Sequence, residues 1–436
     1  MTSPILWQND EKTITLLDIP RSISAAQGTS DSPCNDILIS SKPIEQPFPS
    51  QEPKTENAKA NLKDNTISEQ LSAEYRNTLQ DALHEIRKTH DQDWCLPRRT
   101  TTWGPGSSGK KRKLDQLSSP QDLEFDNVHE RSSNEQQKSD TAPPSREVSE
   151  QNNINPLTCE VCFNGDDQFQ SNCRSSTTQC QISATGPKSI NATEVFRFPA
   201  QSSFYLGNLQ DTSRAFHVAV RSQANSHDTR KHFDFVLMDP PWPNRSVKRS
   251  TKANKGKGYS TADSLEGVQQ LILGTDLDML MAEDCLLGMW VTNRQTFREL
   301  VLGEDDIFAQ WGVELVEEWI WLKTTTRGEP ISSIDSLWRK PYEVLLLGRK
   351  RGSDALSEPL TPLRRVIVAV PDLHSRKPCL KELIEPMMAQ KDDYRALEVF
   401  ARHLVAGWVS WGNECTKFNA ESNWCKPEDV ERSREH

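Results

Sequence analysis

A six-residue run, Phe233-Asp234-Phe235-Val236-Leu237-Met238, leads straight into Asp239-Pro240-Pro241-Trp242. The run reads as a buried parallel strand, because a strand covered on both faces needs apolar residues almost throughout. A carboxylate at the carboxyl end of such a strand sits where open α/β sheets bind their ligands. Two prolines then fix the backbone and remove two N–H donors, which leaves the carbonyls around them to accept. A carboxylate and a bare carbonyl beside an aromatic ring suit a planar amine, such as the exocyclic amino group of a nucleobase. Asp-Pro alone is common at strand ends; the four residues together are a more specific signal.

The same pattern recurs from about residue 200 onward. Apolar runs stand at Phe204-Tyr205-Leu206, 285–291, Trp319-Ile320-Trp321-Leu322, Val344-Leu345-Leu346-Leu347, 366–370 and Trp408-Val409-Ser410-Trp411. Helix-like stretches lie between several of them, at 295–310 and 379–404 for example. Strands alternating with helices predict an α/β fold, a mostly parallel sheet flanked by helices. The first half differs: it is rich in Ser, Gln, Asn, Asp and Pro, with few apolar runs beyond Thr13-Ile14-Thr15-Leu16-Leu17. Such composition predicts a largely disordered N-terminal half. Within it, Ile67, Leu71, Tyr75, Leu79, Leu83 and Ile86 recur at helical spacing, and Thr66 with Glu69 has the spacing of a capping box.

The 436 residues leave room for one to three domains of about 100–200 residues each. The expected division is an N-terminal region, 1–95, with an amphipathic helix near 66–88; a flexible linker, 96–195; a folded domain, 196–425; and a flexible tail, 426–436. Lys110-Lys111-Arg112-Lys113 in the linker reads as a nuclear-import address. The expected compartment is the nucleus, with the cytoplasm second.

A net charge of −10 argues against a generally basic nucleic-acid binder, though a local patch suffices for phosphate contacts. No stretch approaches the ~20 apolar residues of a membrane span, and no secretory signal is visible at the start. Ten scattered cysteines fit a reducing compartment. Cys159-x-x-Cys162 has a zinc-like spacing, but Cys173 and Cys180 are too far apart for the second pair. Free thiols and no metal are expected. Behind Trp242 lies a basic loop without an acid: Arg245, Lys248, Arg249 and Lys252, with Lys255, Gly256, Lys257 and Gly258 before the closing Tyr259. These residues are candidates for contact with a nucleic-acid substrate, and the small residues suit a loop that closes over it.

Taken with Ser246-Val247-Lys248-Arg249-Ser250, Trp290-Val291-Thr292-Asn293, Lys340-Pro341-Tyr342-Glu343, Ser375-Arg376-Lys377-Pro378 and Gly407-Trp408 through Gly412-Asn413-Glu414, the tetrapeptide resembles the signature of the MT-A70 adenine N6-methyltransferases. The resemblance covers roughly residues 200–425. It implies a Rossmann-like methyltransferase with permuted motif order, S-adenosyl-L-methionine as methyl donor and the N6 amine of adenine in nucleic acid as acceptor. The nearest branch of that family is associated with 2′-O-methyladenosine in small nuclear RNA and with adenine in DNA. The donor would then be held late in the chain, by Arg402, Asn413 and Glu414, with Asp239 beside it. Glu414 stands where the messenger-RNA relatives carry glutamine, and His403-Leu404 stands where they carry a His-Asn pair. The resemblance also places Asn208 and Leu209 at the donor's adenine, and offers Lys340 or Lys377 for its methionine carboxylate.

The chemistry asks for these residue types. An aromatic amine is a poor nucleophile, because its lone pair is delocalised into the ring. Asp239 and the Pro240 carbonyl, with Pro241 fixing the turn, could accept both N–H bonds and turn the lone pair toward the methyl group. The carboxylate also stabilises the positive charge that develops on nitrogen, and Trp242 could stack on the base. Two other readings remain: a cytosine N4-methyltransferase, whose amine poses the same problem, and a noncatalytic nucleic-acid-binding partner of an active enzyme. The chain is expected to act as a monomer or with a partner, and away from membranes.

Overall fold

The computed structural model describes residues 3–49, 66–100, 169–183, 193–226, 231–243, 264–337, 340–351, 361–390 and 393–427. The strands are Ile5–Gln8 (β1), Ile14–Leu17 (β2), Ile37–Leu38 (β3), Phe169–Ser171 (β4), Thr178–Ser183 (β5), Thr193–Phe198 (β6), Ser203–Leu206 (β7) and Phe233–Met238 (β8). They continue with Met281–Val291 (β9), Val313–Lys323 (β10), Tyr342–Lys350 (β11), Leu363–Ala369 (β12), Ala396–Val399 (β13), Trp408–Gly412 (β14) and Trp424–Cys425 (β15). Eleven form one sheet in the order β1-β2-β12-β10-β11-β9-β8-β13-β14-β7-β4. Only β1, β4 and β11 run against the rest, so the sheet is mostly parallel. The remaining strands pair as two small antiparallel ribbons, β3 with β15 and β5 with β6.

Alternation along the central strands explains the unbroken apolar runs. Ile320, Leu322, Val344, Leu346, Leu287 and Met289 belong to the core on one face, and Trp319, Trp321, Leu345, Leu347, Leu286 and Trp290 to the core on the other. Successive strand residues point to opposite faces, and both faces here are covered. Each fully buried large side chain contributes about 1.5–3 kcal/mol relative to exposure.

Two of the covering helices come from the first hundred residues. Helix α1 (Ile19–Ala25) buries Ile19 and Ile23 on the second face, capped by Asp18, whose carboxylate also accepts from the Leu96 amide at 2.9 Å. Helix α2 (Glu69–Thr89) buries Tyr75, Leu79, Ala82, Leu83 and Ile86 on the first. Ser68 rather than Thr66 caps it: the Ser68 hydroxyl accepts from Leu71 N at 3.2 Å. Beyond α2, Trp94 lies against Gly328, whose φ of +76° and lack of a Cβ let the indole approach. The sheet itself reaches outside 196–425, since β2 pairs in parallel with β12 through Ile14–Val366 and Leu16–Val368. A four-residue strand with a partner some 350 residues away leaves almost no periodic signal.

One stretch expected as helix is corrected. Among the described residues of 379–404 only Lys381–Ile384 is α-helical, and Ala396–Val399 is strand β13, between β8 and β14. Its four residues are too few for period alone to separate strand from helix; burial between two strands decides it. Helices α3 (Leu209–Ser226), α4 (Leu265–Leu273) and α5 (Gln295–Leu302) complete the flanks.

Candidate active site at the carboxyl edge of the sheet

Eight strands run in one direction, so their carboxyl ends share one edge. The loops after β8, β9, β10, β12, β13 and β14 and the start of β11 meet there. Asp239 is the first residue past β8, and its side chain is 22% exposed. Lys377, from the loop after β12, reaches both its oxygens at 2.9 Å. The same ammonium lies 3.1 Å from Glu343, the second residue of β11. Glu343 in turn takes Lys323, the last residue of β10, at 2.5 Å. From the other side Arg402, after β13, lies 3.6 Å from Asp239 and donates to Glu414 at 3.2 Å and to the Ser375 carbonyl at 3.2 Å. Asp239, Glu343 and Glu414 thus share Lys377, Lys323 and Arg402 across four loops and the adjoining ends of β10 and β11.

The pairing sets the protonation states. Burial alone would raise the Glu343 carboxyl, but Lys323 and Lys377 outweigh it and hold it well below the usual range. Burial would lower the Lys377 ammonium, but Asp239 and Glu343 raise it above its ordinary value. Glu398, on β13, goes the other way: burial, with Asp239 adding to it and Arg402 opposing, pushes it up to about 8. His403 is pushed down to about 4 by burial and by Arg376. A charged set and a neutral set therefore sit side by side. A crevice runs between them, lined among others by Asp239, Trp290, Lys377, Glu398, Arg402 and His403.

Two tryptophans carry the lysines. The Lys377 ammonium lies 5.5 Å from the Trp290 ring centre and Lys323 lies 4.7 Å from that of Trp321, while the two indoles meet edge to face at 6.1 Å. Such contacts hold a cation where it is partly dry. Thr292 Oγ1, Asn293 Oδ1 and Gln295 Oε1, just past β9, are buried without a hydrogen-bond partner among the described residues.

The acceptor tetrapeptide differs from expectation in two respects. The Pro240 carbonyl already accepts from the Trp242 amide at 2.8 Å, which leaves one lone pair rather than two. Trp242 is buried; its ring stacks on Phe297 at 5.0 Å and its Nε1 donates to the Trp290 carbonyl at 2.8 Å. One face of the indole is therefore taken, and the ring fastens the Pro240-Pro241 turn to β9.

The other candidates are spread. Lys377 and Arg402 join Asp239 directly. Lys340 does not: its ammonium donates to Ser72 at 3.3 Å and to the Ile334 carbonyl at 3.2 Å. Asn208 stands ahead of α3, where it donates to Asp211 at 3.1 Å, and the Leu209 side chain is in the core. Asn413 is exposed on the same edge as Glu414, at the end of β14. Arg245, Lys248, Arg249, Lys252 and Tyr259 lie outside the described residues, as do Lys110–Lys113, Cys159 and Cys162. In the sequence Glu343 and Trp290 stand only as parts of motifs, and nothing there gives Glu398, Lys323 or Trp321 a role at the site. A carboxylate in the second position of a strand between two lysine-bearing loops becomes a site residue only once the sheet order is known. Among the described residues no three potential metal ligands come together, and no helix is long and apolar enough to cross a membrane.

Comparison with known proteins fits this edge. The MT-A70 family model matches residues 233–414. The N6-methyladenosine RNA methyltransferase MTA1 of Pyricularia oryzae is 32% identical over 447 aligned residues, spanning 98% of both chains. The human N(6)-adenine-specific methyltransferase METTL4 is 42% identical over 199 residues, 43% of this chain and 39% of its own. A Caenorhabditis elegans protein named DNA N6-methyl methyltransferase is 31% identical over 221 residues, 50% of this chain and 53% of its own.

Proposed function

The chain belongs to the MT-A70 family of S-adenosylmethionine-dependent adenine N6-methyltransferases, and from that premise we infer that it methylates adenine in single-stranded RNA, with Asp239 at the acceptor amine. The observation that carries this is the partly exposed Asp239 at the end of β8, facing cations that other anions could take over. A nucleotide must leave a duplex, or come from a single strand, before its amine can reach such a carboxylate. RNA as acceptor is supported by the full-length likeness to a protein named an RNA methyltransferase.

The donor's chemistry fits the residues present. Its amino-acid end carries a carboxylate and an ammonium; Lys377 suits the first, and Asp239 with Glu343 suits the second. Glu414 and Glu398 can accept from ribose hydroxyls. When bound, S-adenosylmethionine supplies an electrophilic methyl group on a sulfonium. The protein's part is to orient and to stabilise charge. Asp239 accepts one N–H of the amine and the remaining lone pair of the Pro240 carbonyl can accept the other. This holds the nitrogen lone pair outward, and the carboxylate stabilises the positive charge that appears on nitrogen. Trp290 lines the crevice beside it, and the face of Trp242 turned away from Phe297 is the one left for stacking on the base. Contact of the 245–259 loop with phosphates, and nuclear import through Lys110–Lys113, belong to the same proposal. The test is incubation with labelled S-adenosylmethionine and separate RNA and DNA pools, followed by identification of the methylated nucleoside. Label in N6-methylated adenosine of RNA is expected; label confined to deoxyadenosine, or to cytosine, would overturn the reading.

A further inference from the structure

The loop from Val370 to Pro378 carries Lys377, and its shape is not a regular turn. Ser375 within it has φ +66°, a left-handed conformation that non-glycine residues seldom adopt. Something must hold such a loop and satisfy its buried carbonyls. The partner comes from the far end of the chain. The two terminal nitrogens of Arg98 donate to the carbonyls of Val370 and Pro371, each at 2.7 Å. Its side chain is 2% exposed, and it lies 3.9 Å from Asp372, which is fully buried. The second Asp372 oxygen takes Arg376 at 2.6 Å, also fully buried, and Arg376 donates to the Ile39 carbonyl at 3.1 Å. Ser41 closes the set, with its amide at 2.8 Å and its hydroxyl at 3.1 Å from the first oxygen. A little further on, the Cys379 amide donates to Ser22 at 3.0 Å.

Two guanidiniums around one carboxylate in a dry place are an expensive way to fill space. Apolar residues of the same volume often serve stability as well or better. What the arrangement supplies is direction: the planar fork of Arg98 holds two neighbouring carbonyls in one fixed relative geometry, which the rotatable ammonium of a lysine does not impose. We propose that Arg98 is a positioning residue for the donor pocket, acting through the 370–378 loop on Lys377. The inference rests on the reading of the crevice at Asp239 as the donor site. It assigns the N-terminal hundred residues a part in the reaction itself: they set where the cation for the donor's carboxylate stands. A shift of about 1 Å in such a group can cost about a hundredfold in rate.

The test compares two ligands in the full chain. S-adenosylhomocysteine has the amino-acid end that Lys377 would hold; 5′-methylthioadenosine has the adenosine and thioether without it. Arg98→Met should weaken the first by about tenfold, a change of about 1.4 kcal/mol, and leave the second unchanged by calorimetry. KM for the donor should rise more than kcat falls. Arg98→Lys should restore little, because charge without the rigid fork does not fix the two carbonyls in one geometry. Should Arg98→Met fail to fold in a melting experiment, Arg98→Lys carries the same comparison, and Ser41→Ala carries it with a smaller loss. Equal weakening of both ligands would mean a merely structural role, and unchanged S-adenosylhomocysteine binding in folded variants would mean no role; either overturns the inference. A wild-type chain that binds neither ligand overturns the donor reading and this inference with it.

Discussion

The protein contains two charge clusters with nearly the same ingredients and opposite exposure. At Asp239 the side chains of Asp239, Lys377, Glu343 and Lys323 are each about a fifth exposed. At Asp372 the side chains of Asp372, Arg376 and Arg98 are at most 2% exposed. The open cluster keeps water in reach, so exchanging one of its partners for a ligand costs little. The sealed cluster has no such exchange, since any freed charge would stay buried without compensation. One is built to rearrange around a substrate and the other to stay put, and they are joined through the 370–378 loop.

The sharpest way to break that contrast is to remove one charge from each cluster. Asp372→Asn leaves two buried guanidiniums without their anion and should cost about 3–5 kcal/mol of stability, on the order of 10 °C in melting temperature. Glu343→Gln in the open cluster should lower it far less. Similar losses would show that exposure does not separate the two.

Asp239 should separate function from stability in the opposite sense. Asp239→Ala removes a preorganised charge that acts mainly as positive charge forms, so kcat should fall by about 10²–10³, or roughly 2.7–4 kcal/mol. The melting temperature should change little. Methyl transfer with labelled donor at saturating substrate measures it; turnover like the parent's, in a folded variant, would sink the acceptor assignment.

A smaller effect is expected where the open cluster meets the core. Trp242→Phe keeps the stack on Phe297 but leaves the buried Trp290 carbonyl unpaired. The cost should be about 1–3 kcal/mol, seen as an earlier midpoint in urea. A midpoint that does not move would mean the bond does not fasten the acceptor turn.

A pH effect follows from Glu398. Folded, Glu398 keeps its proton up to about pH 8, against an ordinary 4.5. The folded protein therefore binds more protons than the unfolded chain across that window, and stability from this group is lost as pH rises through it. Glu398→Gln should flatten the fall in melting temperature between pH 5 and 8. An identical slope in parent and variant would remove Glu398 from the neutral set beside Asp239.

Much of the carboxyl edge could be anticipated from local pattern. The apolar runs at 204–206, 233–238, 285–291, 319–322, 344–347, 366–370 and 408–411 all lie in or at the ends of strands of the main sheet. Asp239 was legible because it follows such a run in a recognisable motif, whereas Arg402 was offered only by the family resemblance. Lys340 and Lys377 could not be told apart, since both are lysines just before proline. Only the strand order decides that one faces Asp239 and the other faces Ser72. Trp242 was legible as an aromatic but not as a buried one, because its partner Phe297 belongs to a helix some fifty residues on.

The N-terminal hundred residues mark the limit. Helix α2 has a periodic apolar face, and periodicity is a local property of the chain. Strand β2 pairs Ile14 with Val366, and Arg98 reaches carbonyls 272 and 273 residues away. No window of sequence contains both partners of either contact. By itself the sequence therefore determined the class of fold, the run of core strands and the carboxylate at the end of β8, all of which follow from neighbouring residues. Which cations surround that carboxylate, what anchors Trp242 and what holds the loop of Lys377 were decided by the tertiary structure, because each depends on residues that meet only when the sheet closes.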